Sequence, residues 1–149
     1  MTHGILDSSD AWILNGKEKS LAFMAADAGF DVWLPNTRGN KYSSEHVFMD
    51  SRFDKAYWDH SFVDIARYDM PAFYEYVRKY THLPKSEKLS LVTHSQSTTV
   101  TYYGMSKLQS YYRDNVDIHI AIAPVARITR VSPVNGIIMQ LFENFAPII

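Results

Sequence analysis

Apolar residues recur along this chain with two different periods, and the points where one period gives way to the other divide it into elements. From Ser20 to Ala28, the residues Leu21, Met24, Ala25 and Ala28 fall on one helical face and Gly29 supplies a C-terminal stop, so the spacing predicts a helix. Phe30 to Leu34 reads as a short strand closed by Pro35, followed by a polar loop from Asn36 to Ser44. Ser61 is placed to cap a helix entering at Phe62, Ile65 and Ala66. Asp69 followed by Pro71 predicts a break and a fresh helix start running to about Tyr80, and Thr81 to Lys85 reads as a turn.

Lys88 to Thr93 and Asp117 to Ala123 are apolar enough on both faces to be buried parallel strands, each separated from its neighbour by helical material. The expected fold class is therefore α/β, with a parallel sheet and flanking helices. Between those strands Thr98 to Tyr103 is rich in threonine, valine and tyrosine, which propensity alone would make a strand. In the tail from Pro133 to Ile149, the residues Ile137, Ile138, Leu141, Phe142 and Phe145 share one face opposite Gln140, Glu143 and Asn144, predicting an amphipathic helix stopped at Pro147.

Length and composition narrow the setting. The chain has 149 residues with 46% hydrophobic content, enough for one domain with its own core. Its 15 basic and 16 acidic residues nearly balance, and no run of lysine and arginine suggests a nucleic-acid partner. With no cysteine there is no disulfide and no thiolate metal site, and the compartment cannot be inferred from thiol usage. No basic region followed by an apolar stretch opens the chain, no segment approaches bilayer-spanning length, and there is no N-x-S/T sequon. His46, His60 and His82 lack the close pairing of a zinc site, so neither a metal nor a cofactor is expected.

The chemistry concentrates at Ser95. In Lys88-Leu89-Ser90-Leu91-Val92-Thr93-His94-Ser95-Gln96-Ser97-Thr98-Thr99 a strand-like run ends abruptly at a histidine-flanked serine, the sequence form of a nucleophile elbow. There a serine at a tight strand-to-helix turn presents its hydroxyl above the sheet, and the next backbone N–H helps to form an oxyanion hole. This motif requires a helix after Ser95 and so overrides the strand propensity of Thr98 to Tyr103. The usual pattern is G-x-S-x-G, whereas here Thr93 and Ser97 fill the glycine positions. β-Branched Thr93 is expected to crowd the turn, Ser97 less so.

Other stretches extend the pattern. Met1-Thr2-His3-Gly4-Ile5-Leu6-Asp7-Ser8-Ser9 resembles the H-G loop that completes the oxyanion hole in α/β-hydrolases. The segments Ala26 to Asn40, Tyr57 to Phe62, Ala66 to Ala72 and Ala121 to Ala126 follow in order, and together they resemble the acid lipase family, which includes the lysosomal acid and gastric lipases. The resemblance runs from His3 to about Val131. It implies a partial α/β-hydrolase fold in a single domain, with residues 1–131 as core and 132–149 as the start of a helical cap over the active site. A bland packing of that tail on the sheet is the equal alternative. The implied chemistry is hydrolysis of lipid esters, acylglycerols or sterol esters, through an acyl-enzyme on Ser95, with the backbone N–H groups of Ile5 and Gln96 as oxyanion donors. Relatives of this kind are secreted or lysosomal, so the chain is expected either to have lost an export signal or to be cut from a longer precursor. A transient contact with a lipid surface is also implied; nothing in the sequence sets an oligomeric state.

The remaining catalytic parts are harder to place. In α/β-hydrolases the acid and then the histidine follow the nucleophile on loops. Here the only later histidine, His119, falls inside the predicted strand Asp117 to Ala123, where such residues more often serve packing and hydrogen bonding than base catalysis. His94 adjoins Ser95, but adjacent side chains at a tight turn point apart. Asp114 and Asp117 match no catalytic acid of the family. His3 is expected to shape the oxyanion loop, and Arg38 with Asp59 or Asp69 to anchor the Asn36 to Asn40 loop. Two other readings compete with a hydrolase: a non-catalytic lipase-like lipid-binding or interaction module, and a truncated product with no independent function.

Overall fold

A computed structural model describes residues 1–127. The expected amphipathic helix and cap, residues 132–149, lie outside the described residues. Within them the chain is α/β. Strands β1 (Leu89–His94) and β2 (Val116–Ile122) pair in parallel, Leu91 opposite His119 and Thr93 opposite Ala121. The connection between them is helical: α4 (Gln96–Lys107) and α5 (Gln109–Asn115). The helix after Ser95 thus forms despite its threonines. Thr98 and Thr101 are completely buried on it, and the Thr98 hydroxyl donates to the Ser95 carbonyl, 2.6 Å away, in the first turn.

Upstream, α1 (Leu21–Asp27) occupies the predicted place, with Ser20 at its N-cap and Gly29 beyond it at φ +92°. Ser61 caps α2 (Phe62–Asp64) through a full capping box with Asp64. The break expected at Asp69 and Pro71 does not occur. A π turn over Ile65–Asp69 carries α2 directly into α3 (Met70–Thr81), with Pro71 in the first turn of α3. The proline cannot donate a backbone hydrogen bond, and the widened turn lets the helix pass it without ending. Reversal comes at His82, whose left-handed backbone (φ 54°) closes α3.

Phe30–Leu34 likewise differs from expectation, since it forms no strand ladder. Its backbone neighbour is the Met1–His3 segment, where the Met1 ammonium donates to the Trp33 carbonyl at 2.7 Å. That segment in turn lies along β1 in parallel: Thr2 N–H donates to Val92 O (2.8 Å) and His94 N–H to Thr2 O (3.0 Å). A segment this short offers too few carbonyls and amides for a regular ladder on its other side. The spatial order is thus Trp33, Met1–His3, β1, β2, with Met1–His3, β1 and β2 running the same way.

The core sits between this sheet and the helices on one face. Ile65, Ala66, Met70 and Tyr74 of the α2–α3 helix meet Leu91 of β1, Val100 of α4, Tyr112 of α5 and Val116 of β2. Met70 and Ala66 are fully sequestered. This packing fixes the direction of β1 and α4, and so the turn between them.

Candidate functional site

Ser95 occupies that turn, between the last residue of β1 and the first of α4. Its backbone lies at φ 51°, ψ −116°, a conformation that L-residues other than glycine rarely adopt and that costs on the order of 1–3 kcal/mol. Hydrogen bonds hold it there. Ser95 N–H donates to the Ile122 carbonyl of β2 (3.1 Å), and its own carbonyl accepts from the Thr98 N–H (2.9 Å) as well as the Thr98 hydroxyl. Thr98 and Thr99 also bond both backbone groups of Val125, tying the segment after β2 to the start of α4.

The expected crowding at Thr93 and Ser97 is not what the structure has. Both side chains are buried, and each hydroxyl is spent on a neighbour of the turn. The Thr93 Oγ1 lies 2.7 Å from His119 Nε2 across the β1–β2 pair, while the Ser97 hydroxyl donates to the His3 carbonyl. The close approach demanded by the turn is made instead at Gly4. A Cβ there would lie 3.0 Å from His94 Nδ1 and 3.1 Å from Ser95 Cβ, tighter than ordinary van der Waals contact. The His3–Gly4 loop therefore lies directly against the serine.

His3 organises that loop. Its ring is almost fully buried, with Nδ1 2.8 Å from the Gly4 carbonyl and Nε2 3.2 Å from the Thr37 N–H and 3.1 Å from Asn40 Nδ2. Because a backbone N–H donates to Nε2, the ring proton resides on Nδ1 and is donated to Gly4. Burial pushes the His3 pKa below its ordinary value, against smaller upward effects from the Gly4 carbonyl and Asp7. Asn36 extends the network by accepting from the Ser9 N–H (2.9 Å) and Asn40 Nδ2 (2.6 Å). From the sequence His3 was legible only as a loop-shaping residue; its partners Thr37 and Asn40 were missed, since a spacing of more than thirty residues leaves no local signal.

Arg38 pairs with Asp69 rather than Asp59. The Asp69 carboxylate, 8% exposed, accepts from the Arg38 backbone (2.9 Å), Nε (2.8 Å) and Nη2 (2.6 Å). The pair anchors the Asn36–Asn40 loop to the π turn that ends in Asp69. The other two candidate residues flank the serine in different ways. Gln96 opens α4 and is partly buried, whereas Ile5 and the adjacent Leu6 (φ 57°) are exposed at the loop tip.

Most of the six histidines are committed elsewhere. His119 meets Thr93 and has the Tyr102 ring edge-on at 5.5 Å, and burial lowers its pKa. His60 Nδ1 is 3.1 Å from the Tyr57 carbonyl, and His46 Nδ1 accepts from the backbone of Phe48 and Met49. His82 lies at the far end of α3. His94, the last residue of β1, places its ring against Gly4.

The described residues thus form a parallel α/β unit with a strained serine at a strand-to-helix turn and a glycine loop pressed against it. No protein-family model matches the chain. Among curated proteins it is 38% identical to human lipase member J over 125 residues, which is 84% of this chain and 33% of that protein. It is 37% identical to bovine gastric triacylglycerol lipase over 128 residues (86% and 31%) and 39% identical to rat lysosomal acid lipase/cholesteryl ester hydrolase over 123 residues (83% and 30%). The chain belongs to the acid lipase family, and it spans about a third of the length of the curated relatives it matches.

Proposed function

We propose that this chain carries the nucleophile and oxyanion-hole half of a lipid-ester hydrolase of the α/β-hydrolase type. Ser95 is the nucleophile, and the backbone N–H groups of Ile5 and Gln96 are the oxyanion donors. The observation that carries this reading is the Ser95 backbone at φ 51°, ψ −116° with the Gly4 loop against its Cβ. Strain of this kind persists only where the surroundings enforce it, and it sets a hydroxyl at a helix start beside the Gly4 loop. The substrate class, acylglycerols or sterol esters, rests on the similarity to a triacylglycerol lipase and a cholesteryl ester hydrolase.

In such a reaction a base takes the Ser95 proton as Oγ attacks the ester carbonyl, and the developing oxyanion is met by the two N–H donors. His3 takes no part in the proton transfer, because both ring nitrogens are already used. It holds Gly4, and through it Ile5, in register with Ser95. His119 is likewise engaged, and no histidine follows it in the sequence. Efficient turnover therefore requires a base other than His3 and His119, with a carboxylate to orient it.

Hydrolysis of a short-chain chromogenic ester tests this. The 149-residue chain should give only weak turnover, abolished by Ser95→Ala and unchanged by His119→Ala. Robust turnover lost in both variants would make His119 the base and overturn the assignment. Weak turnover that survives Ser95→Ala would remove the nucleophile and favour a lipid-binding module without catalysis.

A further inference from the structure

Both residues that stand where the elbow pattern has glycines carry a hydroxyl, and Ser97 spends its own across 94 residues of sequence, on the His3 carbonyl. That bond is made inside the protein, with Ser97 only 2% exposed. Ser97 directly follows Gln96 in the first turn of α4, and His3 lies two residues before Ile5. A single hydrogen bond therefore joins the segment bearing one proposed oxyanion donor to the segment bearing the other.

On the helix side the bond starts from a firm base, because the adjoining Thr98 is completely buried with its hydroxyl on the Ser95 carbonyl. On the loop side it meets a chain with freedom to lose. Gly4 has no Cβ to strike His94 and Ser95, and the same lack lets the peptide groups on either side of it swivel. Each of those groups is pinned at its carbonyl: the Ser97 hydroxyl holds the His3 carbonyl, and His3 Nδ1 holds the Gly4 carbonyl at 2.8 Å. In a trans peptide the N–H points opposite to the carbonyl, so fixing the Gly4 carbonyl aims the Ile5 N–H. Fixing the His3 carbonyl sets the plane from which Gly4 departs. His3 governs the second plane, and Ser97 governs the first. We propose that Ser97 is a positioning residue for the oxyanion hole, acting through the His3 carbonyl to hold the Ile5 N–H at a set distance and direction from the Gln96 N–H. This rests on the nucleophile and donor assignments above. It also reverses what the motif implies for position 97, since the usual glycine there would leave the loop less firmly held.

Reaction of the full chain with an alkyl fluorophosphonate, in which Ser95 Oγ displaces fluoride from phosphorus, tests this by mass spectrometry and phosphorus NMR of the adduct. Ser97→Ala and Ser97→Gly should each form the Ser95 adduct about 10- to 100-fold more slowly than wild type, the scale of a catalytic group misplaced by about 1 Å. The phosphorus resonance of the wild-type adduct should differ between native and urea-unfolded protein, because the N–H donors meet the phosphoryl oxygen only in the folded state. In both Ser97 variants the native resonance should move toward the unfolded position, with an unchanged circular dichroism spectrum. Val116→Ala, at the far end of the strand pair from the turn, should lower the urea midpoint yet keep the wild-type resonance. Ser97 variants that react as fast as wild type with an unmoved resonance would overturn the positioning role and leave Ser95 as nucleophile. So would faster reaction of Ser97→Gly, or a Val116→Ala resonance displaced to the same extent. A wild type that forms no Ser95 adduct, or whose native and unfolded resonances coincide, would overturn the nucleophile or oxyanion assignment and this inference with it.

Discussion

At the scale of single residues, the account turns on a serine held in a conformation that suits glycine. If Ser95 is strained at φ 51°, ψ −116°, Ser95→Gly should raise stability by about 1 kcal/mol even though it deletes the hydroxyl, whereas Ser95→Ala should not. Urea denaturation of the three proteins decides this; equal midpoints for Gly and Ala variants would mean the turn stores no strain. His3 makes a second residue-scale prediction. Burial depresses its folded-state pKa below the ordinary value near 6.5, so below that pH the unfolded chain binds more protons than the native one. The stability contributed by neutral His3 is therefore complete above about pH 6.5 and is lost as pH falls through the folded pKa. His3→Gln should be less stable than wild type at pH 8 and show a shallower loss of stability between pH 7 and 5. An equally steep profile in the variant would place the titration elsewhere.

At the scale of elements, what the sequence made legible was what local pattern controls. The α1 helix with its glycine stop, the Ser61 cap and the two parallel strands each follow from periodicity or a turn residue within a few positions, although β2, expected to be buried, leaves Ile118, Ile120 and Ile122 exposed among the described residues. The helix after Ser95 was legible only because the serine motif outweighed the propensity of Thr98 to Tyr103, and the structure gives the reason: Thr98 and Thr101 are buried on the inward face, with the Thr98 hydroxyl used to close the turn. Non-local features were not legible. Whether Phe30–Leu34 forms a ladder depends on how much strand lies beside it, and whether Pro71 breaks a helix depends on the π turn that precedes it. Thr93 and Ser97 looked like obstructions because their partners, His119 and His3, come from distant parts of the chain. The helix α3 should carry much of the stability. Met70, completely buried among Leu91, Val100 and Tyr74, should cost about 2–5 kcal/mol as Met70→Ala. The exposed Phe48→Ala should fall within about 0.5 kcal/mol of wild type. Similar midpoints for both variants would contradict this placement of the core.

At the scale of the whole molecule, the sheet gathers its functional elements at one edge. The β1 strand delivers Ser95 there, the Met1–His3 segment delivers Gly4, and the chain after Leu34 supplies the Asn36–Asn40 loop that clamps His3. Open parallel sheets place ligand sites at this edge because strand ends diverge into loops there. The partly buried Ser95, proposed above as the nucleophile, and the Gly4 loop meet at this edge, with His3 and His119 engaged in structure. The central claim is that a tetrahedral species on Ser95 directs its oxygen to the Ile5 and Gln96 amides. The most direct measurement is a crystal structure of the chain after reaction with an alkyl fluorophosphonate. The account predicts phosphorus bonded to Ser95 Oγ and one phosphoryl oxygen about 2.7–3.1 Å from both backbone nitrogens. Phosphorylation of another residue, or an adduct on Ser95 whose oxygen points to solvent away from Ile5 and Gln96, would contradict it.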